Sequence, residues 1–279
     1  DMDGNSRILE DGGRVNEGAC TLDYLDIGAY EFQGTTPSPM RWYVDDDAFG
    51  ANNGSSWADA LNELRDALAV AEPFDEIWVA DGEYRPTNDM NRSATFQLVE
   101  NVNVYGGFSA SETRVEDRIM LPTLLSGDID FNDNPMDYVN HTGNSYHIVT
   151  AASNTIFDGF TVSGGYAHDL DDLGRGAGVF IPNGTVNLSI SACMFTRNSA
   201  YEGGALYANA SSVRLRDAVF SNNAGDYCAG AYFVENCTVD IAGCEFYSNT
   251  VLFRGGGLHF WNGATDRKST RLNSSHGKL

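Results

Sequence analysis

The chain has almost no lysine: the two in its 279 residues are Lys268 and Lys278, both close to the C-terminus. Its 17 basic residues face 39 acidic ones, which gives a formal net charge of −22. Without a basic patch the protein cannot displace the counterions around phosphates, so we expect no nucleic-acid partner. No apolar run approaches the roughly 20 residues that cross a bilayer, so no transmembrane segment is predicted.

Cysteine is scarce, and its spacing excludes familiar metal motifs. The five cysteines are Cys20, Cys193, Cys228, Cys237 and Cys244, and none forms a CxxC or Cys/His pattern of the kind that binds zinc. Cys193 and Cys244 are expected to be small buried apolar residues, two coils and thus about 9–10 Å apart, too far for a disulfide. A disulfide between Cys228 and Cys237 stays open, provided that the corner between them folds back.

What the chain does have is a repeat. Three tetrads, Phe195–Asn198, Phe220–Asn223 and Phe246–Asn249, are spaced 25 and 26 residues apart. A small-residue cluster follows each tetrad, and the three clusters begin at Gly203, Ala229 and Gly255. A fixed period of this size indicates a solenoid, in which stacked coils bury a continuous core that no single coil could bury alone.

Aligning the repeats shows strand-like alternation in place of helical periodicity. Apolar residues share columns two positions apart, and polar residues lie between them; the first two columns are Leu188, Val213, Val239 and Ile190, Leu215, Ile241, and the polar column is Ser189, Arg214, Asp240. A period of two places the apolar columns on one face of a strand. The sequence therefore predicts an all-β fold, a parallel β-helix.

Stacked coils would place like residues directly above one another. Phe195, Phe220 and Phe246 are expected to form an interior aromatic ladder. Asn198, Asn223 and Asn249 are expected to form a second ladder, whose amides satisfy backbone groups at a corner. Both ladders are interpreted as structural.

The period continues upstream with insertions. Phe160 precedes Phe195 by 35 residues, and the surplus is assigned to an inserted loop at Ala167–Arg175. Farther upstream Trp78 and Val104 are 26 residues apart and are aligned as equivalent positions. Five to seven coils fit between Ile77 and Phe260.

One amphipathic helix is predicted at 56–71, ahead of the first coil. Its apolar stripe comprises Trp57, Leu61, Leu64, Leu68 and Ala71, with Ser55 or Ser56 as the N-cap and Pro73 ending it. This helix is expected to cover the open end of the solenoid, whose bare strand edge would otherwise pair with other chains.

The chain divides into four predicted regions. Residues 1–34 are interpreted as the C-terminal end of a preceding domain, 35–40 as a linker, and 41–265 as the β-helix, truncated at its C-terminus. Residues 266–279 break the repeat, because Leu272 and Ser275 stand where Phe and Asn are expected. The run Asp266–His276 resembles the in-frame translation of a sequencing adaptor, so 266–279 is interpreted as an artefact.

The FxxN tetrads and GGA-type clusters resemble the repeats of polymorphic outer membrane proteins, within the right-handed parallel β-helix (pectate-lyase-like) superfamily. The segment from Trp42 through Trp57–Leu61 to Ile77–Tyr84 resembles the start of bacterial right-handed β-helix repeat proteins, and Asp1–Asn5 with Asp26–Glu31 resembles their closing segment. The resemblance implies a right-handed solenoid, a secreted or cell-surface (outer-membrane) bacterial location and a multidomain parent. The group includes adhesins, autotransporter passengers, structural proteins and polysaccharide-cleaving enzymes.

The sequence weakens the case for an enzyme. The resemblance implies a Lys or Arg base for a polysaccharide lyase, yet residues 1–265 contain no lysine and thirteen scattered arginines. A hydrolase needs two carboxylates about 5–10 Å apart. Asp128 with Asp130, or Asp169, Asp171 and Asp172, could supply them, although a solvated acidic loop is the simpler interpretation. No nucleophile motif is present, and His141, His147, His168 and His259 lack metal-ligand spacing.

Two further features are candidates for binding. Calcium suits two clusters of carboxylate oxygens, one at Asp45, Asp46 and Asp47 and one at Asp1 with Asp3, although neither has EF-hand spacing. No other cofactor is expected. An aromatic column precedes the small-residue clusters and comprises Tyr166, Tyr201, Tyr227 and Phe253. If exposed, it could stack on sugar rings or pack against a cell-surface protein; otherwise it covers a corner.

The favoured function is therefore a non-catalytic secreted or surface β-helix used for adhesion, display or structure. A polysaccharide lyase or glycoside hydrolase, with catalytic coils outside this sequence, is the alternative.

Overall fold

The computed structural model describes residues 39–134, 141–168, 172–266 and 273–275, with Asp172 and 273–275 described by backbone alone. Every strand pair within this part of the chain is parallel, and successive strands of each sheet come from successive coils. The predicted all-β parallel β-helix is confirmed. The right-handed sense, which parallel crossovers almost always take, stays a prediction.

Within the described residues, four parallel sheets run along the solenoid. Sheet A contains β1 (Arg41–Val44), β2 (Glu76–Ala80), β5 (Asn103–Phe108), β8 (Ile156–Asp158), β12 (Leu188–Ser191), β16 (Ser212–Arg216), β20 (Thr238–Ala242) and β24 (Thr265–Asp266). Sheet B contains β3 (Gly82–Tyr84), β6 (Thr123–Ser126), β9 (Thr161–Ser163), β13 (Met194–Thr196), β17 (Val219–Ser221), β21 (Glu245–Tyr247) and β25 (Asn273–Ser275).

Sheet C contains β4 (Phe96–Gln97), β7 (Val149–Thr150), β11 (Val179–Ile181), β15 (Leu206–Asn209), β19 (Ala231–Val234) and β23 (Leu258–Phe260). Sheet D is shorter and contains β10 (Tyr166–Ala167), β14 (Ser199–Glu202), β18 (Ala224–Tyr227) and β22 (Thr250–Arg254). A complete coil thus runs through sheets A, B, D and C in turn. Six coils begin between β2 and β20, within the five to seven predicted.

The register of the later coils follows the sequence columns. Leu188 pairs with Val213 and Val213 with Val239, while the polar Ser189, Arg214 and Asp240 pair with one another on the opposite face. The apolar partners are buried, whereas Arg214 is exposed. Apolar side chains from sheets A, B and C form one continuous core inside the coil. The alternation therefore decides which face of each strand points inward.

The three repeat phenylalanines stack inside that core. Phe195 pairs with Phe220 and Phe220 with Phe246 in sheet B, with ring centroids 4.8 and 4.6 Å apart. All three side chains are buried. The spacing equals the distance between neighbouring strands, about 4.8 Å, so the sheet itself imposes the stacking.

The asparagine ladder lies at the corner between sheets B and D. Each side-chain amide donates to a backbone carbonyl of the preceding coil: Asn198 to Val162 (3.0 Å), Asn223 to Phe195 (2.9 Å) and Asn249 to Phe220 (2.8 Å). In return, Oδ1 of Asn223 and of Asn249 accepts the backbone N–H of the preceding ladder asparagine, each at 3.0 Å. The residue before each asparagine has a positive φ of about +54 to +55°, which marks the bend.

The small-residue clusters lie where backbones approach each other closely. A Cβ on Gly204 would lie 2.1 Å from the carbonyl oxygen of Ala224, and one on Gly230 would lie 1.9 Å from that of Gly257. Real Cβ atoms do not tolerate such distances, so glycine is required at these positions.

The predicted helix at 56–71 is too long. The observed helix α1 spans Leu64–Val70 and has no side-chain cap. Upstream of it, Leu61 bridges to Val44 of β1, and the backbone N–H of Leu61 donates to the carbonyl of Tyr43 (2.9 Å). Ser56 Oγ accepts the N–H of Asp59 (3.2 Å), so the apparent cap signature closes a turn instead. Leu64, Ala67 and Leu68 are buried against the core at the β1 end of the solenoid.

Two upstream alignments are wrong by small shifts. Trp78 pairs with Tyr105, not Val104, and Ile77 takes Val104 as its partner. Val162, not Phe160, occupies the position that pairs with Phe195. Phe160 instead stacks on Phe157 with ring centroids 4.5 Å apart. In both cases the sequence offers two apolar residues near the expected position, and only cross-strand packing selects one.

The described cysteines are free thiols. Cys193, Cys228, Cys237 and Cys244 are buried and unpaired, so the open alternative of a Cys228–Cys237 disulfide is wrong. Burial raises the pKa of the Cys193 thiol to about 12 and raises that of Cys228 as well. Cys193 and Cys244 are the small buried residues that the sequence predicts.

Several predictions fall outside the described residues. These are the preceding-domain interpretation of 1–34, the first part of the linker, the Asp1/Asp3 cluster and Cys20. Most of 266–279 is also outside. Its described parts, Asp266 in β24 and residues 273–275 in β25, continue sheets A and B, and Glu245 of β21 pairs with Asn273. The adaptor resemblance stays a prediction.

Asn223→Ala should destabilise the protein by about 2–4 kcal/mol, because the carbonyl of Phe195 and the N–H of Asn198 would lose their partner inside the protein. Urea unfolding followed by circular dichroism measures the loss. Asn88→Ala, which removes an exposed amide, is the control and should leave the unfolding midpoint unchanged. Equal midpoints for the two variants would contradict the assigned role of the ladder.

Phe220→Ala should cost about 3–5 kcal/mol of unfolding free energy, because it opens a cavity between two stacked rings. Phe49, whose side chain is 98% exposed, offers the matched control. Phe49→Ala should change the unfolding free energy by less than about 0.5 kcal/mol. A similar loss in both variants would show that the Phe220 ring is not packed as described.

The four described thiols should not react with a chromogenic disulfide reagent in the native protein, because burial suppresses the reactive thiolate. The Cys20→Ser variant isolates these four. Its thiols should all react in concentrated urea and none within minutes under native conditions. Rapid native reaction, or fewer than four reactive thiols in urea without reductant, would contradict the description.

Candidate functional site

Sheet D carries an aromatic strip, formed by Tyr201, Tyr227 and Phe253. The ring centroids of Tyr201 and Tyr227 are 5.4 Å apart, edge to face, and those of Tyr227 and Phe253 are 5.1 Å apart and stacked. Tyr201 and Tyr227 are partly exposed, and Phe253 is 63% exposed. The strip thus advances along the solenoid by one ring per coil and presents aromatic surface to solvent.

Tyr166 is aligned with this strip by sequence but does not occupy an equivalent position. It pairs with Ser199, two residues before Tyr201. Its ring instead lies 4.8 Å from that of His168, and the Arg92 guanidinium is 6.0 Å from it. Tyr166 follows Phe160 by six residues, as Tyr201 follows Phe195, but Phe195 pairs with Val162 and not with Phe160, so the two tyrosines are offset by two residues.

A second aromatic column, on sheet C, supports the strip from below. Phe180 pairs with Tyr207, Tyr207 with Tyr232, and Tyr232 with His259. Tyr207 and Tyr232 are buried, and Tyr227 of the strip packs against their cluster. This column is not among the features predicted from the sequence, although the alternation in Leu206–Asn209 and Ala231–Val234 places these rings opposite the core residues.

The surroundings of the strip are mainly acidic at its Tyr201 end. Glu202 and Asp226 contribute to a raised pKa of Tyr201, after desolvation by burial and the neighbouring Tyr227 hydroxyl. Arg175 Nε donates to Glu202 Oε2 at 2.8 Å, which neutralises that carboxylate. At the other end Arg254 lies over the Trp261 ring, 4.9 Å from its centroid. The strip can therefore offer aromatic surface bordered by hydrogen-bonding groups.

The predicted calcium cluster at Asp45, Asp46 and Asp47 lies at the end of β1. Oδ2 of Asp46 accepts the backbone N–H of Glu83 at 3.3 Å, and Oδ1 of Asp45 accepts that of Asp47 at 3.1 Å. Burial raises the pKa of Asp45 and of Asp46, and the neighbouring carboxylates raise both further. Backbone amides satisfy part of this cluster, and calcium binding here stays a prediction.

The carboxyl pair offered for hydrolysis, Asp128 and Asp130, lies just after β6. Burial raises the pKa of Asp130, and the neighbouring Asp128 carboxyl raises it further. Asn132 bonds to both side chains, through its backbone N–H to Asp128 Oδ1 (3.1 Å) and through its amide to Asp130 Oδ2 (2.7 Å), and a hydrolytic role for the pair stays a prediction. Asp169 and Asp171 lie outside the described residues, and the side chain of Asp172 is not described.

A groove of about 510 Å³ runs across the outer face of sheet A. Polar side chains of three successive coils line it, among them Ser189, Arg214 and Asp240. Arg216 Nη2 donates to Asp240 Oδ2, so this arginine is engaged by the acid of the next coil. The groove is a polar surface whose charges are largely paired.

Among the described residues, no helix combines the length and the apolar content that a membrane crossing requires.

No family model matches the chain, and no curated protein matches it. Among solved structures, it is similar to the crystal structure of the pectin methylesterase from Aspergillus niger in penultimately deglycosylated form. That enzyme is 15% identical, 88% of each chain is covered, and the TM-score is 0.38. A likeness this distant says nothing about activity, and the assignment of the fold rests on the parallel sheets themselves.

Proposed function

We propose that this chain is a non-catalytic β-helix scaffold of a secreted or cell-surface protein, and that its aromatic strip binds a neutral polysaccharide. The observation that carries the proposal is the exposed row of rings at Tyr201, Tyr227 and Phe253, spaced 5.1–5.4 Å apart. The role that follows is adhesion or display.

The rigidity of the strip favours binding. Its residues lie on strands of sheet D, and Tyr227 packs on the buried tyrosines of sheet C, so the rings are ordered before a ligand arrives. Preorganised aromatic side chains lose little conformational entropy when they bind. A linear glycan presents a succession of apolar ring faces, and a strip that advances about 4.8 Å per coil can meet them one after another.

Charge favours a neutral ligand over an acidic one. The chain carries a formal net charge of −22, and Asp226 stands beside Tyr201; Glu202 is there as well, but Arg175 neutralises it. A polyuronate would meet this field with the same sign, and like charges across an interface are unfavourable. Neutral sugars avoid the repulsion and can still accept hydrogen bonds from the tyrosine hydroxyls.

The location and the parent protein are inferred from sequence. The likeness of the repeats to those of polymorphic outer membrane proteins supports a secreted or surface-exposed location. Adhesins and display proteins use such solenoids as long, stable supports. A polysaccharide-cleaving enzyme on the same fold is the alternative, and the experiment below separates the two.

Tyr227→Ala should weaken binding to neutral oligosaccharides on a glycan array by about tenfold, equivalent to ~1.4 kcal/mol, because it removes the central ring of the strip. The double variant Tyr201→Ala/Tyr227→Ala should abolish detectable binding. Phe49→Ala, which removes an exposed ring elsewhere, is the control and should bind like the wild type.

Unchanged binding in the double variant would rule the strip out. Binding confined to acidic oligosaccharides would overturn the charge argument. Incubation of the protein with neutral and acidic polysaccharides, followed by assays for new reducing ends and unsaturated uronates, tests the alternative, since either product would identify an enzyme.

A further inference from the structure

The connection between β11 and β12 is longer than the same connection one coil later. Ile181 at the end of β11 pairs with Ala208, and Leu188 at the start of β12 pairs with Val213. Seven positions separate Ile181 from Leu188, whereas five separate Ala208 from Val213, so this connection contains two additional residues. A turn at residues 182–185 takes up the additional length.

The base of this turn is held, whereas its tip is free. The backbone N–H of Thr185 donates to the carbonyl of Pro182 at 3.2 Å, and φ of Gly184 is +81°, as a type II turn requires at its third residue. The Pro182 carbonyl also accepts the hydroxyls of Thr185 (2.8 Å) and Ser211 (3.0 Å). At the tip, Asn183 and Gly184 are exposed, and a Cβ on Gly184 would meet no heavy atom within 4 Å.

The tip therefore presents two groups that can react with each other. Among the residues that the structure describes, neither the side-chain amide of Asn183 nor the backbone N–H of Gly184 takes part in a hydrogen bond. Glycine places no side chain beside its nitrogen and changes backbone conformation more readily than any other residue. The nitrogen of Gly184 can thus reach Cγ of the preceding asparagine without breaking a contact.

The sequence contains two other Asn-Gly pairs, and the first of them is locked. The N–H of Gly54 donates to the carbonyl of Asp59 at 2.8 Å, and Oδ1 of Asn53 accepts the N–H of Ser55 at 3.0 Å. Gly54 is buried, and a Cβ there would lie 2.8 Å from the ring of Trp42. Both groups that would react are occupied, and the space around them is filled.

The second pair, Asn262 with Gly263, is held at the side chain alone. Nδ2 of Asn262 donates to Oε1 of Glu235 at 2.8 Å, and the Asn262 carbonyl accepts the N–H of Asn236 at 3.0 Å. These bonds direct the asparagine toward the preceding coil. The same dipeptide thus occurs once free, once partly held and once locked.

We propose that Asn183 is a modification site, which is converted to aspartate and isoaspartate without an enzyme. The nitrogen of Gly184 loses its proton to hydroxide and attacks Cγ of Asn183. A bond forms between this nitrogen and Cγ, the bond from Cγ to Nδ2 breaks, and Nδ2 leaves as ammonia after it takes a proton from water. The product is a succinimide ring.

Water then opens the ring at one of its two carbonyl carbons. Cleavage of the bond between the Gly184 nitrogen and Cγ gives aspartate, and cleavage of the bond between that nitrogen and the backbone carbon gives isoaspartate. The overall change consumes one water, releases one ammonia and transfers no electrons. It adds a carboxylate to the corner between sheets C and A. This site goes beyond the proposed function and is independent of the aromatic strip.

Peptide mapping of the full chain by tandem mass spectrometry tests the proposal. The protein is incubated in mildly alkaline buffer, folded or in concentrated urea, and then digested with trypsin, which releases 176–197; a digest at time zero corrects for changes during digestion. In the folded protein Asn183 should be modified about tenfold faster than Asn53, which reacts only when its hydrogen bonds open, and Asn262 should fall between them. In urea the three pairs should react at similar rates.

Gly184→Ala is the matched variant, since the space around residue 184 accepts a methyl group. It should slow the modification of Asn183 in the folded protein by about tenfold, because a side chain restricts the backbone and crowds the nitrogen. Modification of Asn53 should not change.

An Asn183 that stays intact in the folded protein but reacts in urea would overturn the proposal. So would equal rates at Asn53 and Asn183 in the folded protein, or an unchanged rate in Gly184→Ala. A product that contains aspartate but no isoaspartate would contradict the succinimide, because direct hydrolysis of the side-chain amide would then be the route.

Discussion

The amide hydrogen bonds of Asn198, Asn223 and Asn249 are the constraint on which the solenoid depends. Each of the later coils turns sharply from sheet B into sheet D, and the bend leaves backbone groups without partners in their own coil. The side-chain amide supplies a donor to the previous coil and an acceptor for its backbone N–H. Because a buried unpaired backbone group costs as much as a lost hydrogen bond, no other common residue of this size could replace asparagine.

The rest of the architecture follows from keeping successive coils in register. With the corner fixed, the phenylalanines stack at the strand spacing, the glycine clusters allow the next close approach, and the rings of sheet C form an outward column. The aromatic strip on sheet D departs from strict register, because Tyr227 pairs with Glu202 and with Arg254, and its rings meet as neighbours offset by one residue.

Sequence reasoning succeeds where the repeat is strict and fails where it is interrupted. The columns from Leu188 to Ile241 are correct because a one-residue slip would expose every apolar side chain. Trp78 and Phe160 are misaligned because more than one apolar residue stands near the expected position: Val104 beside Tyr105 in one case, Phe160 two residues before Val162 in the other. The segment 56–63 has helical spacing, yet Trp57 donates to the carbonyl of Glu112 (2.9 Å) and Leu61 pairs with β1. Long-range partners decide its structure.

The asparagine ladder has a direction, because Oδ1 of each ladder asparagine accepts a backbone N–H of the preceding coil. Deleting one whole repeat of 25 or 26 residues would place the Oδ1 of one ladder asparagine next to the backbone N–H of another, so the hydrogen bond could form again. Deleting part of a repeat would leave both groups unpaired. Duplication or deletion of complete repeats in the gene can thus lengthen or shorten the solenoid without breaking the ladder. Its length then changes in steps of one strand spacing, about 4.8 Å.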